Sequence, residues 1–247
     1  MRDAVIVGAV RTPIGKRGGG LAGIHPVDLS AHVLAALVER TGIDPADVED
    51  VIWGCLSQVG EQAWNIGRSA VLAAGWPESV PATTVDRQCG SSQQAVHLAA
   101  ATVIAGQADL VIAGGVESMT RVPMAAPVAG PGTPFGPMVR RRYHGVDGFD
   151  PEAPTPFNQG VGAELIAERW RLSRQRLDEY SLASHERAAA AADAGAFAAE
   201  TAPVAGVTAD EGIRRDSSLR RLATLATPFR PDGVVTAGSA SQISDGA

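Results

Sequence analysis

The sequence predicts an α/β fold in which helices pack on a mostly parallel, mixed sheet. Short apolar runs alternate with amphipathic segments over the first 119 residues, and such strand–helix alternation is typical of parallel sheets. Alanine and glycine are abundant while aromatic residues make up only 4% of the chain, which favours helices packed closely on the sheet. With 247 residues, of which 45% are hydrophobic, the chain can bury a sizeable core.

The first predicted strand is residues 3–10, DAVIVGAV, a β-branched apolar run of the kind that is covered on both faces. A loop rich in Gly and Pro follows it. Asp28 is expected to cap a helix with an apolar stripe, and Gly42 is expected to end that helix. A second strand and a second helix are predicted within 47–60 and 65–76.

The third extended piece is predicted over 80–89 and is followed by a helix from about Ser91 to Gly106. A fourth strand is predicted within 108–119, after which the sequence changes character. Residues 120–160 are rich in Pro and Gly without a long periodic run, and a loop of this length is usually functional or an oligomer contact.

Two helical patterns follow within 162–197, and Ser173 is expected to cap the second of them. The final stretch, 225–247, is rich in turn residues and contains one short predicted strand.

Composition and charge narrow the functional classes. The net charge of −6 argues against a general nucleic-acid binder. The two cysteines, Cys55 and Cys89, cannot form a disulfide framework or a cysteine-based zinc site. No secretory signal is expected from the first residues, and no apolar run reaches the ~18 residues of a membrane span. A cytoplasmic protein is therefore expected.

Three patterns resemble binding motifs without their usual context. Gly18, Gly20 and Gly23 satisfy G-x-G-x-x-G, but a Pro-containing loop separates them from the preceding strand, so a dinucleotide site is not expected. The five histidines are scattered without a metal-binding spacing, so no metal site is expected either. Basic clusters stand either on a solvated face or against an anionic ligand; their members are Arg140, Arg141, Arg142, Arg214, Arg215, Arg220 and Arg221.

Cys89 is the candidate nucleophile. It lies between an extended piece and an alanine-rich helix, and a thiolate at a helix N-terminus is stabilised by unpaired N–H groups and the helix dipole. The small residues Gly90, Ser91 and Ser92 would let an acyl group approach the sulfur. Spacing alone leaves a buried structural cysteine as an equal alternative. Cys55, inside an apolar strand, is expected to be a buried filler.

Four segments in the same chain point to one family. DAVIVGAVRTPIGK, VDRQCGSSQQAV, DLVIAGGVESM and VVTAGSASQISDGA, in this order, resemble the thiolase family of acyl-CoA:acetyl-CoA acyltransferases. The resemblance implies a thiolase-like layered fold with an inserted α-rich loop domain, in a homodimer or homotetramer. It divides the chain into an N-terminal α/β half at 1–118, a loop domain at 119–230 and a return towards the first half at 231–247.

The resemblance also implies a mechanism and its residues. Cys89 would take the acyl group from a 3-ketoacyl-CoA, acetyl-CoA would leave, and a second CoA would remove the shortened acyl chain. CoA or acetyl-CoA would be a cosubstrate, with no metal and no permanently bound cofactor. The positions that match substrate and CoA contacts of the family are Arg214 near the nucleotide, Ser241 near the pantetheine, Ala237, Asn158 and Gln159. Asn158 and Gln159 replace a His-Met pair of some short-chain members, which suggests a longer or bulkier acyl group.

Two motifs of the family's second half do not occur in this sequence. The resemblance implies a histidine in G-H-P that activates the nucleophile and a second cysteine in C-x-G-x-G that moves the substrate proton. The chain is therefore expected to be the first half of a thiolase. It would be a shortened chain, one of two polypeptides, or a stand-alone half that binds acyl-CoA or a partner without turnover. A β-ketoacyl synthase-like condensing enzyme is the nearest enzymatic alternative.

Overall fold

The computed structural model describes residues 2–132, 134–153 and 156–247. They form two compact units. Unit 1 comprises the described residues of Met1–Pro127, Phe197–Gly212 and Ile243–Ala247, and unit 2 those of Val128–Ala196 and Ile213–Gln242. The three predicted domain ranges, which rest on the resemblance, stay a prediction.

The elements follow the predicted alternation. The strands are β1 Gly15–Lys16, β2 Asp50–Gly54, β3 Ala82–Val85, β4 Val111–Gly115, β5 Glu117–Ser118 and β6 Ser244–Gly246. The helices of unit 1 are α1 Pro26–Thr41, α2 Ile66–Ala73 and α3 Ser91–Ile104, and those of unit 2 are α4 Pro137–Tyr143, α5 Gln159–Arg169, α6 Arg174–Asp193 and α7 Leu219–Leu222.

The main sheet of unit 1 is parallel and has helices on both faces. β2 is central and pairs in parallel with β3 and β4, with Val51 opposite Ala82 and Ile112. On one face Trp53 lies in the core formed with α1 and α2, and its indole N–H donates to Ser30 Oγ (3.2 Å). On the other face α3 packs against Ile52. The predicted layered α/β fold with a mostly parallel sheet is confirmed.

A second, small sheet joins distant parts of unit 1. β6 lies between β1 and β5 and runs antiparallel to both, with Gly15 opposite Asp245 and Glu117 opposite Gly246. The short strand predicted near the end of the chain is therefore present.

The start of α1 differs from the prediction. The N-cap is His25, whose Nδ1 accepts from the N–H of Val27 (3.2 Å), and Pro26 is the first helical residue. Asp28 lies inside the first turn instead of capping it. Proline is favoured at this position because it lacks the N–H that a helix leaves unpaired and its φ is already helical. Gly42 ends α1 as predicted, in a left-handed conformation with φ 71°.

The prediction of a strand at residues 3–10, the N-terminal segment, is wrong for this structure. No strand is assigned there, and Val5, Ile6 and Val7 are 75%, 82% and 70% exposed. Among the described residues no main-chain partner bonds to the segment. A β-branched run becomes a strand only when a neighbouring strand satisfies its N–H and C=O groups.

Unit 2 contains both helices predicted within 162–197. Ser173 caps α6 as predicted, since its Oγ accepts from the N–H of Arg176 (3.2 Å). The Pro- and Gly-rich stretch before α5 holds α4 and an aromatic cluster around the ring of Phe157, whose centroid lies 4.9–5.4 Å from three other rings. Those rings belong to Phe135, Tyr143 and Phe149.

Candidate active site

A tight turn between β3 and α3 presents Cys89 on the surface of unit 1. The carboxylate of Asp86 accepts from the N–H of Gln88 (2.6 Å), and Gln88 has a positive φ of 51°. Ser91 Oγ accepts from the N–H of Arg87 (2.9 Å) and donates to the Gln88 carbonyl (2.6 Å). A positive φ in a residue other than glycine needs such surrounding support. The turn is therefore held by its own hydrogen bonds while the Cys89 thiol is exposed.

The first turn of α3 offers free donors beside this cysteine. The N-cap is Gly90, which supplies no capping side chain. In the part of the chain that the structure describes, the N–H groups of Ser92 and Gln93 have no hydrogen-bond partner. Free N–H groups and the positive end of a helix dipole stabilise negative charge. The strand–turn–helix geometry predicted for a nucleophile is present.

Two glycines on the sheet allow α3 to approach it closely, a feature that the sequence analysis missed. A Cβ atom at Gly54 in β2 would lie 2.5 Å from the carbonyl carbon of Ser91 and 2.7 Å from Cα of Ser92. A Cβ at Gly115 in β4 would overlap Ser92 Oγ and the main chain of Gly54. The N-terminus of the helix that carries Cys89 thus rests directly on the main chain of the sheet. Because α3 is distant in the sequence, spacing gives no signal for this contact.

Cys55 has the opposite environment. Its side chain is buried with 1% exposure, and its Sγ accepts from Gln62 Nε2 at 3.4 Å. Burial, together with the nearby carboxylates of Glu117 and Asp86, raises the pKa of Cys55 to about 12. The prediction that Cys55 is a buried filler is confirmed.

The predicted acyl-binding pair lies at the start of α5 in unit 2. Asn158 is the N-cap, and its Oδ1 accepts from the N–H groups of Gly160 (2.9 Å) and Val161 (3.1 Å). Gln159 is the first helical residue and is exposed. The carbonyl oxygen of the Asn158 side chain is therefore occupied by the start of α5, whereas among the described residues the exposed side chain of Gln159 makes no hydrogen bond.

Arg214 differs from its neighbours in charge pairing. Its N–H donates to His185 Nδ1 (3.2 Å), while its guanidinium is exposed and has no ion pair within residues 2–132, 134–153 and 156–247. By contrast, Arg215 pairs with Asp193 (2.9 Å), and Arg221 pairs with Asp216. Of these three arginines, Arg214 is the one whose guanidinium makes no ion pair among the described residues, although its charge helps to lower the pKa of Asp216.

Ala237 and Ser241 are exposed residues of a unit 2 segment that a buried carboxylate holds in place. Glu164 of α5 is 3% exposed, and its two oxygens accept from the N–H groups of Val234 and Val235, both at 2.8 Å. Ala237 follows two residues later and is exposed, as is Ser241. These two hydrogen bonds therefore join the segment that precedes Ala237 to α5, the helix that Asn158 caps. All of these residues lie in unit 2.

The glycine-rich loop near the start of the chain already holds a carboxylate. The N–H of Gly20 donates to both oxygens of Glu211 (3.1 Å each), and the N–H of Lys16 donates to one of them (3.1 Å). This acidic partner is at odds with a phosphate site, in agreement with the sequence analysis.

Within the described residues no group of three or more His, Cys, Asp or Glu side chains could hold a metal ion. No described helix is long and apolar enough to cross a bilayer.

The family model and the relatives in sequence all identify thiolases as similar to this chain. The family described as "Thiolase, N-terminal domain" matches residues 4–247. The steroid 3-ketoacyl-CoA thiolase FadA6 of Mycobacterium tuberculosis is 48% identical over all of this chain and 61% of its own length. A 3-ketoacyl-CoA thiolase of Erwinia tasmaniensis is 42% identical and covered to 63%.

A solved structure shows the same fold. The acetyl-CoA acetyltransferase of Bacillus anthracis superposes with a TM-score of 0.82 at 35% sequence identity, over all of this chain and 64% of that one. The chain therefore spans less than two thirds of the length of these relatives.

Proposed function

Because this chain belongs to the thiolase family, and matches its N-terminal domain, we propose that it supplies the acyl-accepting part of a 3-ketoacyl-CoA thiolase. The observation that carries the proposal is the exposed thiol of Cys89 on a supported turn at the N-terminus of α3. Such a position combines access for a bulky thioester with donors that stabilise negative charge.

The proposed chemistry proceeds through an acyl-cysteine. The Cys89 thiolate attacks the 3-keto carbon of the substrate, and the bond between C2 and C3 breaks. The electron pair of that bond goes to C2, which takes up a proton as acetyl-CoA leaves. The thiol of a second CoA then loses its proton, attacks the thioester carbonyl and displaces the Cys89 thiolate, releasing the shortened acyl-CoA. Reversal of these steps is a Claisen condensation.

The proton transfers need groups that the described residues do not place at Cys89. No described side chain makes a hydrogen bond to its thiol, and His97, two turns along α3, is exposed. General acid–base catalysis is typically worth about 10²–10⁴-fold. The resemblance assigns these groups to the family's second half, so the proposed turnover belongs to a thiolase that contains both parts.

Coenzyme A is the proposed cosubstrate, with unit 2 as its binding part. The exposed guanidinium of Arg214, which makes no ion pair among the described residues, suits the anionic nucleotide, while Ala237 and Ser241 offer exposed small residues for the pantetheine. The Arg214→Ala variant should weaken CoA binding roughly tenfold or more, since a hydrogen bond to a charged group contributes about 1.5–3 kcal/mol. Arg215→Ala is the matched control, because Asp193 already neutralises that side chain.

Isothermal titration with CoA and with pantetheine, which lacks the nucleotide, tests this assignment. Arg214→Ala should weaken binding of CoA and leave binding of pantetheine unchanged. Equal losses for the two ligands, or an equal effect of Arg215→Ala on CoA binding, would remove Arg214 from the nucleotide site.

The acyl group is proposed to be long or bulky. Gln159 replaces the methionine of short-chain members, and the half-exposed ring of Phe157 offers apolar surface next to Asn158. The relative at 48% identity is named a steroid 3-ketoacyl-CoA thiolase. A complete enzyme that contains this chain should turn over a ring-bearing 3-ketoacyl-CoA faster than acetoacetyl-CoA; the opposite preference would contradict the proposal. The proposal also includes thiolysis in fatty acid β-oxidation as the physiological reaction, a cytoplasmic location, and assembly as a homodimer or homotetramer.

Intact-mass measurement of the acyl-cysteine is the central test. Incubation of the chain with an acyl-CoA at pH 8 should add one acyl group, which Cys89→Ser abolishes and Cys55→Ser retains. CoA binding without an adduct would favour a non-catalytic acyl-CoA-binding role. Transfer from an acyl carrier protein but not from CoA would favour a β-ketoacyl synthase-like enzyme.

A further inference from the structure

Trp64 differs from the other large apolar side chains of unit 1 in its exposure and in its backbone conformation. Its side chain is 95% exposed, which is the highest value for a large apolar side chain among the described residues. Trp64 and Asn65 both have a positive φ, of 59° and 54°, which is unfavourable for residues other than glycine. The chain therefore places an indole in water on a strained turn, and such strain persists only where the surrounding structure fixes it.

Hydrogen bonds hold this turn on both sides of Trp64. Asn65 is the N-cap of α2, and its Oδ1 also accepts from Thr84 Oγ1 at 2.7 Å. Its Nδ2 donates to the carbonyl of Ala82 at 2.8 Å, so both polar atoms of the side chain bind β3. On the other side Gln62 is 0% exposed, and its side chain bonds to the segments that follow β2 and β4. The main chain at Trp64 is thus fixed between two anchored neighbours.

The turn lies at the carboxyl edge of the parallel sheet, the edge that also presents Cys89. Gln62 bonds to groups directly after the ends of β2 and β4, and Asn65 bonds to Thr84 near the end of β3. Cys89 is five positions beyond Thr84, and five residues span at most about 18 Å when extended. In open α/β sheets ligands bind outside the carboxyl ends of the strands. The indole and the thiol therefore share the edge at which a ligand is expected.

The apolar surface that Trp64 offers is small. Within 58–68 and 82–93, ranges that the structure describes in full, Trp64 is the only exposed large apolar side chain. A tryptophan buries about 150–250 Å², whereas a stable protein–protein interface takes about 800 Å² from each partner. A single fixed ring with polar surroundings therefore suits a small apolar ligand and not a second protein chain.

We propose that Trp64 is a specificity-determining residue whose indole receives the acyl group that Cys89 accepts. The inference rests on the proposed function and adds the class of acyl group that this edge selects, one with an apolar ring or a long apolar chain. An acetyl group on the thiol is too short to gain from the indole. Because the turn is already fixed, the contact costs little ordering of the protein.

Alkylation of Cys89 in the full chain tests this contact without acyl transfer. The probes are iodoacetamides that carry a phenyl ring on methylene tethers of increasing length, each compared with the same tether without the ring. At pH 8 the pKa of about 12 keeps Cys55 protonated, so the labelling rate is that of Cys89. At one or more tether lengths the ring should speed labelling about two- to tenfold, the range that an aromatic pair contributes.

Three substitutions assign the effect to the indole. Trp64→Ala should abolish the preference for the ring, and Trp64→Phe, which keeps an aromatic face, should retain part of it. The matched control is Trp170→Ala in unit 2, where the side chain is 61% exposed, and it should leave the preference unchanged. None of the three should lower the melting temperature by more than about 2 °C, because the replaced side chains are largely exposed.

Fluorescence gives an independent measurement in the Trp170→Phe chain. Trp53 and Trp76 are only 1% and 7% exposed, so acrylamide should quench mainly Trp64. Attachment of the ring-bearing probe to Cys89 should lower the quenching constant at least twofold, and attachment of the ring-free probe should not.

Three results would overturn the proposal. A ring preference that is absent at every tether length, or that persists in Trp64→Ala, would show that the indole does not meet groups bound to Cys89. Equal protection of Trp64 from acrylamide by CoA and by phenylbutyryl-CoA would assign the indole to the nucleotide. Protection that rises with protein concentration, together with a dimer mass, would assign it to a second copy of the chain.

Failure of the proposed acyl transfer gives a different result. If acyl-CoA leaves no adduct on Cys89 while the ring preference of the alkylating probes is intact, acyl transfer is contradicted and the contact with Trp64 is supported. If the adduct forms but the ring preference is absent, the role of Trp64 is contradicted and acyl transfer is supported.

Discussion

The close approach of α3 to the sheet leads to a quantitative prediction for Gly54→Ala. The added Cβ would lie 2.5 Å from the carbonyl carbon of Ser91 and 2.7 Å from Cα of Ser92. Carbon atoms at optimal separation are about 3.5–4.0 Å apart, so the helix N-terminus and β2 must separate by roughly 1 Å. The contacted atoms are main chain, and a rotamer change cannot relieve the overlap. We expect a loss of stability of about 1–3 kcal/mol, the usual range for overpacking.

The assay is thermal unfolding of the parent and variants in the same buffer. For a chain of this size each kcal/mol lowers the melting temperature by about 2–4 °C, so Gly54→Ala should melt about 2–12 °C lower. Gly23→Ala is the matched control, because no atom lies within 4 Å of its added Cβ and its φ is not positive. It should change stability by less than about 0.5 kcal/mol.

Hydrogen exchange would locate the damage. The amides of the first turns of α3 should exchange faster in Gly54→Ala, while those of unit 2 should not change. A melting temperature within 1 °C of the parent, or an equal loss in Gly23→Ala, would refute the reasoning. In that case Gly54 would not be the contact that positions α3.

Three further predictions concern single side chains. At pH 8 iodoacetamide should label Cys89 in the folded chain but not Cys55, whose pKa of about 12 keeps it protonated; mass spectrometry should find two labels only after denaturation. Although burial raises the pKa of Asp210, hydrogen bonds from Arg11 and from a main-chain N–H outweigh this effect and hold the pKa below its ordinary value. The pair of Arg11 and Asp210 therefore stabilises unit 1 above about pH 4 and loses that contribution as the pH falls further. In thermal melts, Asp210→Asn should lower the free energy of unfolding by about 1.5–3 kcal/mol at pH 7 and by much less at pH 3. Glu164→Ala should destabilise unit 2 by about 1–3 kcal/mol in the same melts, because the buried N–H of Val235 and the partly buried N–H of Val234 lose their acceptor. Glu164→Gln keeps one acceptor oxygen, so its stability should fall between those of Glu164→Ala and the parent.

Sequence patterns correctly predicted helix ends that depend only on neighbouring residues. The caps at Gly42 and Ser173 follow from residues within one turn of each helix end, and both predictions are confirmed. The prediction that Asp28 caps α1 was wrong, although the residues that form the cap are also close in the sequence. A histidine side chain can accept the first N–H, and the proline at 26 was the better signal for the start of the helix.

Features that depend on distant partners could not be predicted. The close contact of Gly54 with Ser92 joins residues that are 38 positions apart, and a glycine in a strand does not say which element approaches it. The aromatic cluster at Phe157 likewise depends on how a loop without periodicity folds on itself. For Cys89 the sequence predicted the helix start and the small residues after it, but not the positive φ of Gln88.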